Sequence, residues 1–196
     1  MTVGIIILAA GASTRMGTPK QLLPYGKSTL LSHTIEVALA SGCHPIIVVL
    51  GAYATQIRSH INQLTIRIVE NPQWSEGMSS SIRVGIQALD TVTEKPEAVV
   101  LCLCDQPFIS TQVINQLIEV YFQKSKQIIA SEYAGILGVP ALFDRSFFPN
   151  LMKLKGAEGA KKIIQNHSDR VLSVPFAEGI VDIDTPEEYQ QLQSLI

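Results

Sequence analysis

Charge is scarce in this sequence, and so are long apolar runs. Asp, Glu, Lys and Arg make up 16% of its 196 residues against 46% apolar residues, and the formal charge is −2. Disorder is excluded, because it requires low hydrophobicity and high net charge. The near-neutral balance gives no electrostatic case for a nucleic-acid partner, so any phosphate binding must be local. The apolar run Val3–Ala10 is too short to cross a bilayer and has no Lys or Arg before it. It reads as a buried strand. No other stretch approaches the roughly 20 residues of a membrane helix. A soluble protein with no membrane partner is expected, with the cytoplasm as its default location.

Metal-binding and redox residues are also few. Cys43, Cys102 and Cys104 are odd in number, which speaks against a disulfide framework. Cys102 and Cys104 lie in an apolar run as small core residues, and a Cys-x-Cys pair lacks the third and fourth ligands that zinc needs. His33, His44, His60 and His167 stand in no metal-ligand spacing with Cys, Asp or Glu and receive no role.

The length fits one domain, residues 1–196, with a core of ordinary size. Gly4–Ala9, Pro45–Leu50, Ile66–Val69, Ala98–Cys104, Ile128–Ser131 and Val171–Val174 read as strands. Between them, Leu30–Ala40 has helical spacing and stops at Gly42. Ile82–Leu89 follows three serines, and Thr111–Phe122 is amphipathic behind Ser110 as an N-cap. This alternation predicts a mostly parallel sheet covered by helices. Tyr133–Asn150, rich in Gly, Pro and Phe, reads as an excursion from the sheet that partly covers the site. Open sheets bind ligands beyond the carboxyl ends of their strands, so the loops after Ala9 and Cys104 are the candidate site loops.

The segment Leu8-Ala9-Ala10-Gly11-Ala12-Ser13-Thr14-Arg15-Met16-Gly17-Thr18-Pro19-Lys20 follows the first strand. Its small side chains let backbone N–H groups approach an anion. Arg15 suits a fork onto phosphate oxygens, and Lys20 a compact charge on a leaving diphosphate. By physical chemistry alone the segment is either a polyphosphate loop or a flexible surface loop. Two better-known loops are excluded. The glycine after Gly11 is Gly17, too distant for a dinucleotide fingerprint. Gly26-Lys27-Ser28-Thr29 imitates the end of a Walker sequence, but Gln21 stands where its first glycine belongs. Lys27–Thr29 therefore reads as a turn and helix cap.

The Leu8–Lys20 string resembles the Leu-Ala-Ala-Gly-x-x-x-Arg-Met-Gly-x-x-Lys signature of the MobA-like NTP transferase family, continued by Leu22-Leu23-Pro24 and Leu30-Leu31. Later blocks resemble its molybdenum cofactor cytidylyltransferase branch. These are Asn71-Pro72-Gln73-Trp74-Ser75-Glu76-Gly77-Met78-Ser79-Ser80-Ser81-Ile82, Cys104-Asp105-Gln106-Pro107, Gly138–Phe143 and Asp182-Ile183-Asp184-Thr185-Pro186-Glu187-Glu188. The resemblance implies a three-layer α/β/α, Rossmann-like, mostly parallel sheet of the nucleotide-diphospho-sugar transferase type.

Site roles follow from residue chemistry and resemblance together. Asp105, directly after a strand, is the strongest ligand for a hard cation, or else caps the next turn. Asp182 and Asp184 alternate on an extended segment and point to one side. The resemblance makes Asp184 the second metal ligand, with Asp182 supporting the loop. Arg15, Lys20 and Asp105 are assigned to catalysis. Leu8, Ala9, Ala10, Gly11, Arg15, Lys20, Ser79 and Ser80 are assigned to nucleotide binding, the serines through hydroxyls and free N–H groups at a helix start. Trp74, Met78, Ser81, Gln106 and Pro107 are assigned to the acceptor, with Trp74 and Met78 either a cover for a planar ligand or ordinary core. One block departs from the family: its Gly-Asp-x-Gly-Ala-Arg is Gly156-Ala157-Glu158-Gly159-Ala160-Lys161 here. An ammonium cannot reproduce a bidentate guanidinium contact, and Glu158 is a candidate substitute for the missing carboxylate.

The resemblance implies transfer of CMP from CTP to molybdopterin with release of diphosphate, aided by Mg2+ or Mn2+. The product is the cytosine dinucleotide cofactor of xanthine-dehydrogenase-like enzymes, and transient contact with such an apoenzyme follows. Ala9-Ala10-Gly11 favours CTP, since the guanylyl-transferring branch resembles Leu-Ala-Gly-Gly there. Three alternatives remain open at this point: GTP as donor, a sugar or alcohol phosphate as acceptor, and a non-catalytic carrier of the cofactor.

Overall fold

The computed structural model describes residues 2–61, 65–124 and 126–195. In chain order the elements begin with β1 (Val3–Ala9), the short hairpin β2 (Pro24–Tyr25) and β3 (Ser28–Thr29), α1 (Leu30–Leu39), β4 (Cys43–Leu50), α2 (Ala54–Ile61) and β5 (Arg67–Glu70). There follow α3 (Met78–Asp90), β6 (Ala98–Leu103), α4 (Thr111–Gln123), β7 (Ile128–Tyr133), β8 (Ile136–Asp144), α5 (Phe148–Met152), α6 (Ala160–Asn166), β9 (Val171–Pro175) and α7 (Pro186–Gln193).

β1 is buried along its whole length, as its unbroken apolar run requires. The seven-stranded sheet has the order β5-β4-β1-β6-β8-β7-β9. β1 pairs in parallel with β4 and β6, β4 with β5, and β7 with β9, while β8 runs antiparallel to both of its neighbours. Side chains alternate along β1, so Ile5, Ile7 and Ala9 pack with α1, α2 and α4, and Ile6 and Leu8 pack with α3, α5 and α6. Each fully buried aliphatic side chain contributes roughly 1.5–3 kcal/mol, which makes the β1 layer the main anchor of the fold.

The helix starts carry their own caps. Ser32 N–H donates to the Thr29 hydroxyl at α1, and Val113 N–H to the Ser110 hydroxyl at α4. At α7, Thr185 and Glu188 form a reciprocal capping box. The Gly26 turn joins β2 to β3, so Lys27–Thr29 is the expected turn and cap.

Two expectations are corrected. Ile136–Asp144 is no excursion: it is strand β8, inserted between β6 and β7. Gly138 and Pro140 interrupt its pattern, yet Ala141, Leu142 and Phe143 are fully buried, and that burial outweighs the weak local preference. The third helix starts at Met78 with Gly77 as its cap, so Ser79, Ser80 and Ser81 lie within its first turns rather than before it.

The chain leaves β1 toward β4 and β5 on one side and reaches β6 on the other. The carboxyl ends of β1 and β6 therefore form the crevice where the strand order reverses.

Candidate active site

From the end of β1 the loop turns at Ser13, whose carbonyl accepts from the N–H groups of Met16 and Gly17. A single 3-10 turn at Lys20–Leu22 then brings the chain back. Lys20 N–H donates to the Ser13 hydroxyl at 3.2 Å. The Gln21 side chain points the other way, its Nε2 donating to the carbonyls of Ala9 at 3.0 Å and Gly11 at 2.9 Å.

A carboxylate wall faces this loop. Asp105 follows β6, and Ile183 N–H donates to the Asp105 carbonyl at 2.9 Å, which holds the 182–184 segment beside it. Ile183 is fully buried against Leu30 and Leu192, so its extended neighbours Asp182 and Asp184 both turn toward the cleft. Glu188, inside the α7 capping box, accepts from the N–H groups of Asp184 and Thr185 at 2.8 Å each.

Loop and wall meet through cations. Lys20 Nζ donates to Asp105 Oδ2 at 2.6 Å and to Asp184 Oδ1 at 2.7 Å, and Arg15 Nη2 donates to Asp184 Oδ2 at 2.7 Å. Burial alone would lower the Lys20 ammonium, but the adjoining Asp105 and Asp184 outweigh it and hold the pKa well above the usual lysine value. Burial likewise opposes ionisation of Asp184, yet its bonds to Lys20 and the charge of Arg15 leave its pKa below the ordinary carboxylate range. Asp182 is raised, first by burial and then by the negative charges of Asp105 and Asp184. Three carboxylates thus converge on the cleft against two cations.

The cleft has a volume of about 510 Å³. It is lined by Leu8, Ala9, Ala10, Gly11, Arg15 and Lys20 of the loop after β1, by Trp74, Met78 and Ser81, and by Asp105 and Asp184. Trp74 and Met78 keep 36% and 41% of their surface exposed, so they stand over the opening rather than in the core. Gly77 places Met78 there. Its φ is +106°, and a Cβ on it would lie 2.5 Å from the Gly156 carbonyl, so the α3 start and the Gly156 loop touch backbone to backbone.

Four expected site residues lie elsewhere. Ser79 and Ser80 are buried and absent from the cleft wall. Their N–H groups donate to Gly156 and Gly77 carbonyls, and the Ser80 hydroxyl is held by Asn71 and Gly77. The Ser79 and Ser80 N–H groups, expected to be free at this helix start, are thus taken by the protein itself. Gln106 and Pro107 are also buried, and Gln106 Nε2 donates to the carbonyls of Val139 and Gly179, bracing β8 rather than facing the cleft. In the departing loop, Glu158 accepts from Lys155 N–H at 3.0 Å and so closes its own turn. Lys161 lines a smaller apolar pocket of about 200 Å³ behind Met78. The thiols fit the core reading: burial, then the charge of Asp105, pushes Cys104 up to about 12, and burial pushes Cys43 up to about 11.

Sequence reasoning missed Gln21 and underweighted Asp182. The Lys20–Gln21 adjacency was the available signal for the first, because a residue beside a charged site side chain on a tight turn faces the loop behind it.

Residues 5–171 match the model of the MobA-like NTP transferase domain. A nicotine blue oxidoreductase of Paenarthrobacter nicotinovorans is 30% identical over 95% of this chain and 94% of its own length. A molybdenum cofactor cytidylyltransferase of Escherichia coli (strain K12) is 27% identical over 95% and 93%. The crystal structure of Rv0371c from Mycobacterium tuberculosis H37Rv superposes with a TM-score of 0.86 at 31% identity, covering 99% of this chain and 98% of that one. A manganese complex of Rv0371c matches with a TM-score of 0.80 at 30% identity over the full length of both chains. Among the described residues no helix is long and apolar enough to cross a membrane. The matched span, the crevice between β1 and β6, and the cations facing carboxylates across it agree: the chain belongs to the MobA-like NTP transferase domain family of nucleotidyltransferases.

Proposed function

We propose that this protein transfers CMP from CTP to a phosphate oxygen of molybdopterin, acting as a single domain in the cytoplasm. The observation that carries the reading is the Lys20–Asp105–Asp184 cluster at the end of the small-residue loop. The residues present fit a hard divalent cation. Asp105 Oδ1 is buried with no hydrogen-bond partner, and both carboxylates already hold a cationic group. Among the described residues no three His, Cys, Asp or Glu cluster as a closed protein cage. Two carboxylates with the remaining positions left to phosphates and water suit Mg2+, and Mn2+ can replace it. Asp105 and Asp184 would hold the ion, which supplies charge neutralisation on the triphosphate.

The chain's own groups do the rest. Arg15, with 67% of its side chain exposed, swings from Asp184 onto phosphate oxygens, and Lys20 steadies the diphosphate. The acceptor oxygen attacks the α-phosphorus in line, the bond to the β-phosphate oxygen breaks, and that oxygen leaves with the electron pair. An ionised acceptor needs no general base, and among the described residues no histidine lines the cleft. Trp74 and Met78 stand where a planar pterin or base would be covered. Ala10 lines the cleft and packs closely on Gly51, and its methyl is the feature on which the preference for a pyrimidine over a purine rests.

Diphosphate release with CTP or GTP, each with and without molybdopterin, tests the assignment. Release is expected only with molybdopterin and faster with CTP; faster release with GTP overturns the base assignment, and none with either overturns the acceptor. The oxidoreductase name of one relative calls for a parallel assay with a reduced nicotinamide dinucleotide, for which no oxidation is expected.

A further inference from the structure

Gln21 is 1% exposed, yet it lies at the wall of the cleft and belongs to none of the roles above. Its Nε2 donates to two carbonyls that bracket the start of the loop, Ala9 at 3.0 Å and Gly11 at 2.9 Å. Two acceptors facing one amide fix its orientation, because only the nitrogen can satisfy them. Its Oε1 is buried and without a partner, an arrangement that costs free energy and persists only if the donor side is held firmly.

The consequence lies across the peptide plane. In a trans peptide the N–H points opposite to the carbonyl that precedes it, and the cis bonds of this chain lie elsewhere, at His44–Pro45 and Val139–Pro140. With the Gly11 carbonyl drawn to Gln21, the Ala12 N–H is turned away from it. Among the described residues the N–H groups of Ala12, Ser13, Thr14 and Arg15 have no protein acceptor. Gln21 and Lys20 share one 3-10 turn, so the same turn ties the loop to the carboxylate wall through Lys20 and sets the loop backbone through Gln21.

We propose that Gln21 is a positioning residue for the triphosphate: its carboxamide holds the Ala9 and Gly11 carbonyls back so that the loop N–H groups are presented to phosphate oxygens. This rests on the nucleotidyl-transfer reading. The test compares wild type with Gln21→Glu, which keeps shape but has at most one donor, and only when protonated, and Gln21→Met, which keeps length and apolar packing and donates nothing.

Loss of two hydrogen bonds is expected to raise KM for CTP about tenfold in both variants. The kcat at saturating CTP should fall far less, and Mn2+ affinity without nucleotide should stay unchanged, because Asp105 and Asp184 are untouched. A merely structural role would lower all three together, and that outcome overturns the proposal, as does loss of the fold in both variants by circular dichroism. Unchanged KM in variants of a wild type that binds CTP overturns the role of Gln21 alone. A wild type that binds no nucleoside triphosphate overturns both it and the reading beneath it.

Discussion

Lys20 donates to Asp105 Oδ2 across 2.6 Å, with only 13% and 16% of the two side chains exposed. The same ammonium reaches Asp184, so it stands between the carboxylates proposed to hold a divalent ion. A cation in that position competes with metal until a triphosphate draws it away. Lys20→Met is therefore expected to bind Mn2+ without nucleotide about tenfold more tightly than wild type, as Asp105 loses its cation and Asp184 keeps only Arg15. Diphosphate release should fall by about a hundredfold or more through the lost charge on the leaving group. Titration of Mn2+ by electron paramagnetic resonance reads the first effect. An unchanged or weaker affinity would show that ammonium and metal do not share the position.

Asp105→Asn separates an enzyme from a carrier. The backbone bond from Ile183 N–H to the Asp105 carbonyl is untouched by the change, so the wall should stay in place. Metal-dependent turnover is expected to fall by roughly three orders of magnitude, while pterin binding, measured by fluorescence, stays near wild type. Retained turnover would remove Asp105 from the metal site.

Much of this architecture was legible because local pattern and burial agree. The apolar run Val3–Ala10 reads as a buried strand and forms one over Val3–Ala9, and Ser110 sits where its helix begins. Asp105 was legible for the same reason, as a carboxylate directly after a strand must lie at the carboxyl edge. The reading failed for Ser79 and Ser80, which lie off the cleft wall while Ser81 lines it, because a serine-rich helix start looks the same whether its N–H groups are free or capped, and the Gly77 and remote Gly156 carbonyls decide it. Gln106 failed likewise: its partners, Val139 and Gly179, are 33 and 73 residues away. Strand β8 was obscured by Gly138 and Pro140, whose cost is visible locally while the compensating burial of Phe143 is not.

Gly51 is the point at which the loops after β1, β4 and β5 converge. A Cβ there would lie 2.5 Å from the Ala10 carbonyl oxygen and 2.7 Å from Trp74 Cβ. That carbonyl also accepts from Ala52 N–H at 3.1 Å, so the backbone has little room to yield. Gly51→Ala should cost about 1–3 kcal/mol, as overpacking generally does. It should also raise KM for the nucleotide by displacing Ala10. Thermal unfolding and a CTP titration check the two effects, and an unshifted midpoint would show that the contact relaxes freely.

Far from the cleft, Asp144 closes the end of β8. Tyr121 donates to its Oδ2 at 2.6 Å, and Ser146 donates to Oδ1 through N–H at 2.9 Å and through its hydroxyl at 2.6 Å. Burial favours the neutral acid, but these bonds to the carboxylate prevail, and its pKa lies below the ordinary aspartate value. A carboxyl depressed in the folded state stabilises fully above its unfolded pKa of about 3.9 and loses that contribution as pH falls through the lower folded value. Urea midpoints measured from pH 6 down to pH 2 should therefore drop for wild type below about pH 4. Asp144→Asn should start lower at pH 6 and fall less steeply over that range, and Tyr121→Phe should lie between the two. Parallel curves for wild type and Asp144→Asn would mean that Asp144 is as easily protonated folded as unfolded, and the hydrogen bonds at the end of β8 would then contribute nothing that acid removes.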